Sequence, residues 1–245
     1  MTTIEPTQNH ISAPGKIARI ILMTWLVLSI VSITLLQIAK FEWQFLVPYW
    51  LIACCVPLWH FRHRVTTALQ NWRAPDWLKF FLLAYGMVLF EETFSALFNH
   101  LSEGFNFWIF IQRIGQFWAF NVLAFTGLIL ATWLLYSRVQ FTQWEMFCLI
   151  GFTGLFSERI IYLLPKELFG FLTFAPPIFI FYGFILSPAL MSMKPPQRHV
   201  LHPVLKYALM LSVWTLLSQP PGWLLTSLRV AFPLLFPSCN FIPCG

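Results

Sequence analysis

Three glutamates fall inside apolar runs of this 245-residue chain: the adjacent pair Glu91 and Glu92, and Glu158. A carboxyl group in such a setting is costly unless it meets a partner, so it usually faces other helices and often marks function. Paired carboxyls can do general acid–base work, handle protons or bind a cation. Asn121 and Arg159 lie in neighbouring apolar runs, and Arg159 is a potential partner for Glu91 or Glu92. His100 closes the run that carries the glutamate pair, eight residues beyond Glu92. The plainer alternative is a network of Glu92, Glu158, Asn121 and Arg159 that only holds helices together, as polar groups do between spans. Neither spacing nor residue type selects between the two.

The remaining titratable groups suggest less. His60/His63 and His199/His202 are His-x-x-His pairs, a spacing that puts two ring nitrogens on one helical face and suits a metal. Arg62, Arg64 and Arg198 would repel a cation there, and Pro203 breaks helix, so interfacial histidines in basic loops are the simpler reading. No cofactor is named by these residues. Cys54, Cys55 and Cys148 sit in apolar runs as small packing side chains. Cys239 and Cys244 in the C-terminal tail would form a disulfide if that tail faces an oxidising compartment.

What must position these groups follows from composition. Apolar residues make up 58% of the chain and charged residues 10%, with mean hydropathy +0.72. A soluble domain carries roughly 25% charge to hydrate its surface, so the lipid bilayer is the expected partner of the outer surface. The 27 Phe and 12 Trp fit lipid contact and interfacial aromatic belts. A net charge of +6 does not indicate nucleic acid, because the basic residues sit in short loops between apolar runs.

The expected fold is an all-α polytopic transmembrane bundle of about seven spans, near 17–38, 45–60, 79–101, 115–137, 145–164, 168–192 and 204–219. The first 15 residues are polar and the run after them is too long for a signal-peptide core, so the first span is expected to stay in place. Pro176–Pro177 predicts a kink or break in the sixth span. The tail 222–237, after Pro220–Pro221–Gly222, reads as an interfacial helix, a re-entrant segment or an eighth span. The domains are then a cytoplasmic N-terminal tail at 1–16, one transmembrane domain at 17–237 and a C-terminal tail at 238–245. With the N-terminus inside, Lys16, Arg19, Arg62, Arg64, Arg73, Lys79, Arg138, Lys194, Arg198 and Lys206 are cytoplasmic, ten of the fifteen basic residues. This bias sets orientation, in a cytoplasmic or inner membrane.

On this topology Glu92 and Glu158 each lie thirteen residues from the inner end of their span, marked by Lys79 and Glu145, roughly 20 Å deep. Asn121, counted from Arg138, lies at roughly 25 Å, in nearly the same layer. Tyr85, Glu92, Ser95 and Asn99 fall on one stripe of the third span. Gly151, Gly154 and Glu158 share a face of the fifth, where small residues allow close approach.

The segment Phe90-Glu91-Glu92-Thr93-Phe94-Ser95-Ala96 resembles the first motif of the CPBP (CAAX protease and bacteriocin-processing) intramembrane proteases, Glu-Glu-x-x-x-Arg. The resemblance covers residues 79–160. It implies a helical membrane domain in which glutamate, with histidines from later spans, activates water to cleave a membrane-protein or peptide substrate. The family's second motif, Phe-x-x-x-His, corresponds to Phe117–Asn121, with Asn121 in the histidine position and Ala96 in that of the arginine. The PrsW type has a similar Phe-Glu element, without its preceding Glu-Glu-x-x-Lys motif here. Three functions stay open: a divergent or inactive hydrolase using Glu91 or Glu92 with Asn121 as donor, a small transporter using Glu92 and Glu158, and a non-catalytic membrane subunit.

The charge bias yields a direct test of topology. A single cysteine replacing Thr67 in a cysteine-free background should be modified by a membrane-impermeant maleimide only from the cytoplasmic side. Modification from the outside alone would invert the orientation.

Overall fold

The computed structural model describes residues 13–102, 104–193, 201–233 and 236. His199, Lys194, Arg198, Cys239 and Cys244 lie outside them. The described residues form an all-helical fold: α1 (Ala13–Ala39), α2 (Val47–His60), α3 (Arg62–Asn71), α4 (Asp76–Leu101), α5 (Phe107–Tyr136), α6 (Gln143–Ser157), α7 (Leu168–Ile185), α8 (Ser187–Ser192) and α9 (Pro203–Ala231). Four stretches are long and apolar enough to cross a membrane: Ile20–Ala39, Asp76–Leu101, Phe107–Tyr136 and Leu168–Ser192.

Several expected boundaries move, each for a local reason. The helix of the fifth span stops at Ser157, and Arg159 takes a left-handed backbone, φ 58°. That conformation is unfavourable for a residue with a Cβ and ends the helical hydrogen-bond ladder. A 3₁₀ turn, Ile160–Leu163, follows. The 15 residues of α6 therefore rise only about 22 Å, less than a hydrocarbon core of about 30 Å. α7 runs unbroken through Pro176–Pro177, and the interruption falls at Leu186, just before α8 begins Ser187–Pro188. A proline disfavours helical backbone in the residue before it and lacks an N–H, which suits a helix start. Likewise α9 is continuous across Pro220–Pro221–Gly222, so 204–219 and the tail to Ala231 form one helix. The segment after α2 contains a helix of its own, α3.

The core is shared by most of these helices. Phe80 of α4, Ile129 of α5, Met146 and Ile150 of α6, Ile185 of α7 and Met210 of α9 are all fully buried. Interhelical polar bonds join the pieces. Tyr85 and Thr126 hydroxyls meet at 2.9 Å across α4 and α5, and the Arg113 guanidinium donates to Asn99 Oδ1 at 2.6 Å. Trp118 Nε1 donates to the Leu89 carbonyl at 3.0 Å. α1 is tied to α7 by Trp25 Nε1 on the Leu172 carbonyl at 2.8 Å and by the Ser29 hydroxyl on the Thr173 carbonyl.

One end of the bundle is held by ion pairs. Buried Lys79 meets Asp76 at 2.8 Å at the start of α4. Buried Lys206 of α9 meets Glu145 of α6 at 2.6 Å and also donates to the Gln140 carbonyl. Glu145 completes a capping box with Thr142, so one carboxylate both starts α6 and fixes α9 against it.

α5 and α9 pack through Gly127. A Cβ there would lie 2.5 Å from Ser218 Cα and 2.7 Å from its backbone nitrogen, so the two helix backbones are nearly in contact. Gly127→Ala should therefore cost about 1–3 kcal/mol through forced separation of the helices. Thermal unfolding in detergent measures it, with Gly86→Ala, where an added Cβ meets nothing within 4 Å, as the reference. Equal melting temperatures for the two variants would refute the close crossing.

Candidate functional site

The buried face of α4 follows i, i+4 spacing: Phe80, Ala84, Val88, Glu92, Ala96 and His100. One helical face carries residues at this spacing, and the stripe is apolar except for Glu92 and His100. Glu92 is thus placed inside by its apolar neighbours. Glu91, one residue back, points about 100° away around the helix. It is half-buried, and its Oε1 accepts from the Ser95 hydroxyl at 2.7 Å, one turn further on.

Glu91 also borders an internal cavity of about 30 Å³ between α2, α4 and α7. Trp50, Cys54, Cys55, Met87 and Phe181 form much of its wall. A site of that size holds a water or two, provided polar partners exist. The Glu91 carboxyl and the two free thiols are those partners.

The third carboxyl arrives from another direction. Glu158 is the residue that ends α6. It is held by α7, whose Tyr182 hydroxyl donates to Glu158 Oε1. That bond needs α6 and α7 to lie very close, and glycines provide the room. A Cβ on Gly154 would come within 2.3 Å of the Tyr182 ring, and one on Gly151 within 2.5 Å of the Phe179 carbonyl. From the opposite side, a Cβ on Gly183 would strike the Phe147 ring at 2.6 Å. The shared face expected for Gly151, Gly154 and Glu158 is this seam. Tyr182 itself is buried and stacks on Phe125 of α5 at 5.6 Å.

Glu91 and Glu92 are neighbours on α4, and both lie within electrostatic reach of Glu158. Tyr182 feels Glu158 and Glu91 together. The site is therefore Glu91, Glu92, Glu158 and Tyr182, with Ser95 orienting Glu91.

Other residues expected at this layer are engaged elsewhere. The Asn121 amide donates to the Phe117 carbonyl of its own helix at 3.1 Å. Arg159 is exposed at the left-handed turn, and the ion pairs seen among the described residues are Lys40–Glu42, Lys79–Asp76 and Lys206–Glu145. His100 is fully buried but serves the α4–α5 loop: its Nε2 accepts from the Asn106 N–H at 2.8 Å. Asn106 in turn caps α5 through its side-chain oxygen on Trp108 N–H and Ile109 N–H. His60 ends α2 and His63 belongs to α3, so their three-residue spacing is broken by the helix change at Phe61. His202 is exposed at the start of α9, and His199 falls outside the described residues. Among the described residues no group of three His, Cys, Asp or Glu side chains is placed to hold a metal.

Tyr182 escaped the sequence reading because it looks like one more aromatic in an apolar run. A signal was present, however. Gly183 beside it and Gly151 and Gly154 in the preceding helix mark a close crossing, and a tyrosine there needs a partner for its hydroxyl.

No family model matches the chain, and neither a curated protein nor a solved structure is similar to it.

The seam makes a stability prediction. Tyr182→Phe keeps the ring and deletes the donor to Glu158, so it should cost about 0.5–1.5 kcal/mol, the range for an ordinary hydrogen bond. Gly154→Ala should cost at least as much, because it displaces that ring. Melting in detergent for each variant gives the values. Wild-type stability in both would mean that Tyr182 and Glu158 are not bonded.

Proposed function

We propose that the chain is a multi-pass membrane protein of about seven crossings, with its N-terminus inside, in the cytoplasmic or inner membrane. Its Glu91–Glu92–Glu158 cluster binds and releases protons. α2 and α6 are the short crossings in this reading, and α9 is the seventh. The supporting observation is that Glu91 and Glu92 of α4 lie within electrostatic reach of Glu158, which takes the Tyr182 hydroxyl, while the buried lysines pair with Asp76 and Glu145. Three negative charges at one level of an apolar bundle require compensating protons or a cation. Reversible occupation of such a site is what proton-coupled transporters use, and it is the chemistry this arrangement serves best. The α7–α8 interruption at Leu186 gives the bundle a break near its inner end, where a gate would act.

A second reading follows from the resemblance to CPBP proteases: a divergent or inactive hydrolase acting on a membrane-protein or peptide substrate. The cavity beside Glu91 favours it, because a water held there would lie against a carboxyl able to take its proton. Asn121 would have to leave the Phe117 carbonyl to serve as a donor.

Dicyclohexylcarbodiimide modifies protonated carboxyls in apolar surroundings and tests the proton site without a known cargo. In reconstituted vesicles at neutral pH, mass spectrometry should find the adduct on Glu91, the residue beside the cavity. The adduct should decline as pH rises, and Glu91→Gln should abolish it. Glu145→Gln should leave it unchanged. A folded protein that takes no adduct on Glu91, Glu92 or Glu158 at any pH would overturn the proposal.

A further inference from the structure

The stretch Trp43–Pro75 contains no acidic residue, yet it carries Arg62, Arg64, Arg73, His60 and His63. Most of these gather on or beside α3, between two apolar helices. α3 is two-faced. His63, Arg64, Thr67, Ala68 and Asn71 are exposed, while Val65, Leu69 and Gln70 are partly covered. The covered side is anchored: Gln70 Nε2 reaches the Met191 and Met193 carbonyls at 3.3 and 3.4 Å. The exposed side therefore presents a fixed surface.

Four side chains of that surface, His63, Arg64, Thr67 and Ala68, line an open groove of about 450 Å³. Exposed aromatics flank α3 in the chain. Trp59, Phe61, Trp72 and Trp77 are each 43–53% exposed around the ends of α3. Arg62 lies over the Trp59 ring at 4.6 Å and donates to its carbonyl at 3.0 Å. The Arg64 guanidinium lies 5.7 Å from the Phe61 ring centre, which leaves its N–H groups open to a ligand. The nearest acid along the chain, Asp76, is neutralised by Lys79. Tryptophans of this kind settle at the headgroup level of a bilayer, and arginines beside them meet phosphates.

We propose that α3 is an interfacial helix whose His63–Arg64–Thr67 groove binds the headgroup of an anionic phospholipid. The charge is complementary, the open surface beside Arg64 leaves room for a phosphate, and the exposed aromatics at the ends of α3 set the depth at which acyl chains enter the bilayer. Arg64 is the main phosphate donor, because Arg62 is already committed to Trp59. The inference rests on the membrane setting proposed above, and is independent of the carboxyl cluster.

Native mass spectrometry of the full chain in detergent, with equimolar phosphatidylglycerol and phosphatidylcholine added, tests it. The wild-type protein should retain phosphatidylglycerol in preference. Arg64→Gln should reduce that preference roughly five-fold, the effect of one charge near a lipid surface. Arg64→Lys should restore most of it, and Lys166→Gln, remote from α3 in the chain, should change nothing. Inorganic phosphate at the lipid concentration should not displace the lipid. Equal retention of the two lipids would overturn the proposal. So would an Arg64→Gln protein that keeps full preference, or displacement by free phosphate alone.

Discussion

The close crossing of α6 and α7 is the constraint on which the site depends. Three glycines, Gly151, Gly154 and Gly183, remove the side chains that would hold these helices apart. Only then does Tyr182 sit against Gly154 with its hydroxyl on Glu158. Within lipid there is little hydrophobic gain from helix contact, so packing and interhelical hydrogen bonds decide which helices pair. The same device recurs where Gly127 lets α9 lie on α5. Both crossings place backbone against backbone or ring.

The carboxyl cluster then follows from two different local causes. Glu92 is buried because apolar residues four positions apart carry its face of α4 inward. Glu158 is present because α6 ends there, at a left-handed Arg159 that stops the helix short. The Glu158 N–H still bonds the Gly154 carbonyl as in a helix, and the ladder ends just beyond it. The side chain thus stands at a helix terminus, where α7 supplies its partner.

Much of this was legible from residue order, for identifiable reasons. Apolar run length gave α1, α4, α5 and the α7–α8 stretch, because crossing a bilayer and burying a core both demand continuous apolar sequence. The inward face of Glu92 and the glycine face of α6 came from helical periodicity. Proline was the misleading signal. Pro176–Pro177 and Pro220–Pro221 both lie within continuous helices, whereas Ser187–Pro188 marks the real interruption. A proline cancels one backbone bond, and packing on both sides of α7 holds the helix across that loss. Asn121 and His100 misled in a different way. Depth along a helix placed them near the carboxyls, but each found a partner within its own segment, the Phe117 carbonyl and the Asn106 N–H. Depth is read from counting residues, whereas partner choice depends on rotation and on local competitors that counting does not weigh.

The polar groups divide into two kinds of environment, and the division assigns their work. At the α4 start and the α6–α9 junction, each buried lysine meets a carboxylate directly, Lys79 with Asp76 and Lys206 with Glu145. Such pairs are charge-balanced and fix helix ends in place; they have no reason to exchange protons. The Glu91–Glu92–Glu158 group is different: Glu158 takes the Tyr182 hydroxyl, and Glu91 takes the Ser95 hydroxyl and borders a small cavity. The two kinds of environment thus do different structural work: the balanced pairs fix helix ends, and the Tyr182–Glu158 bond fixes the α6–α7 seam.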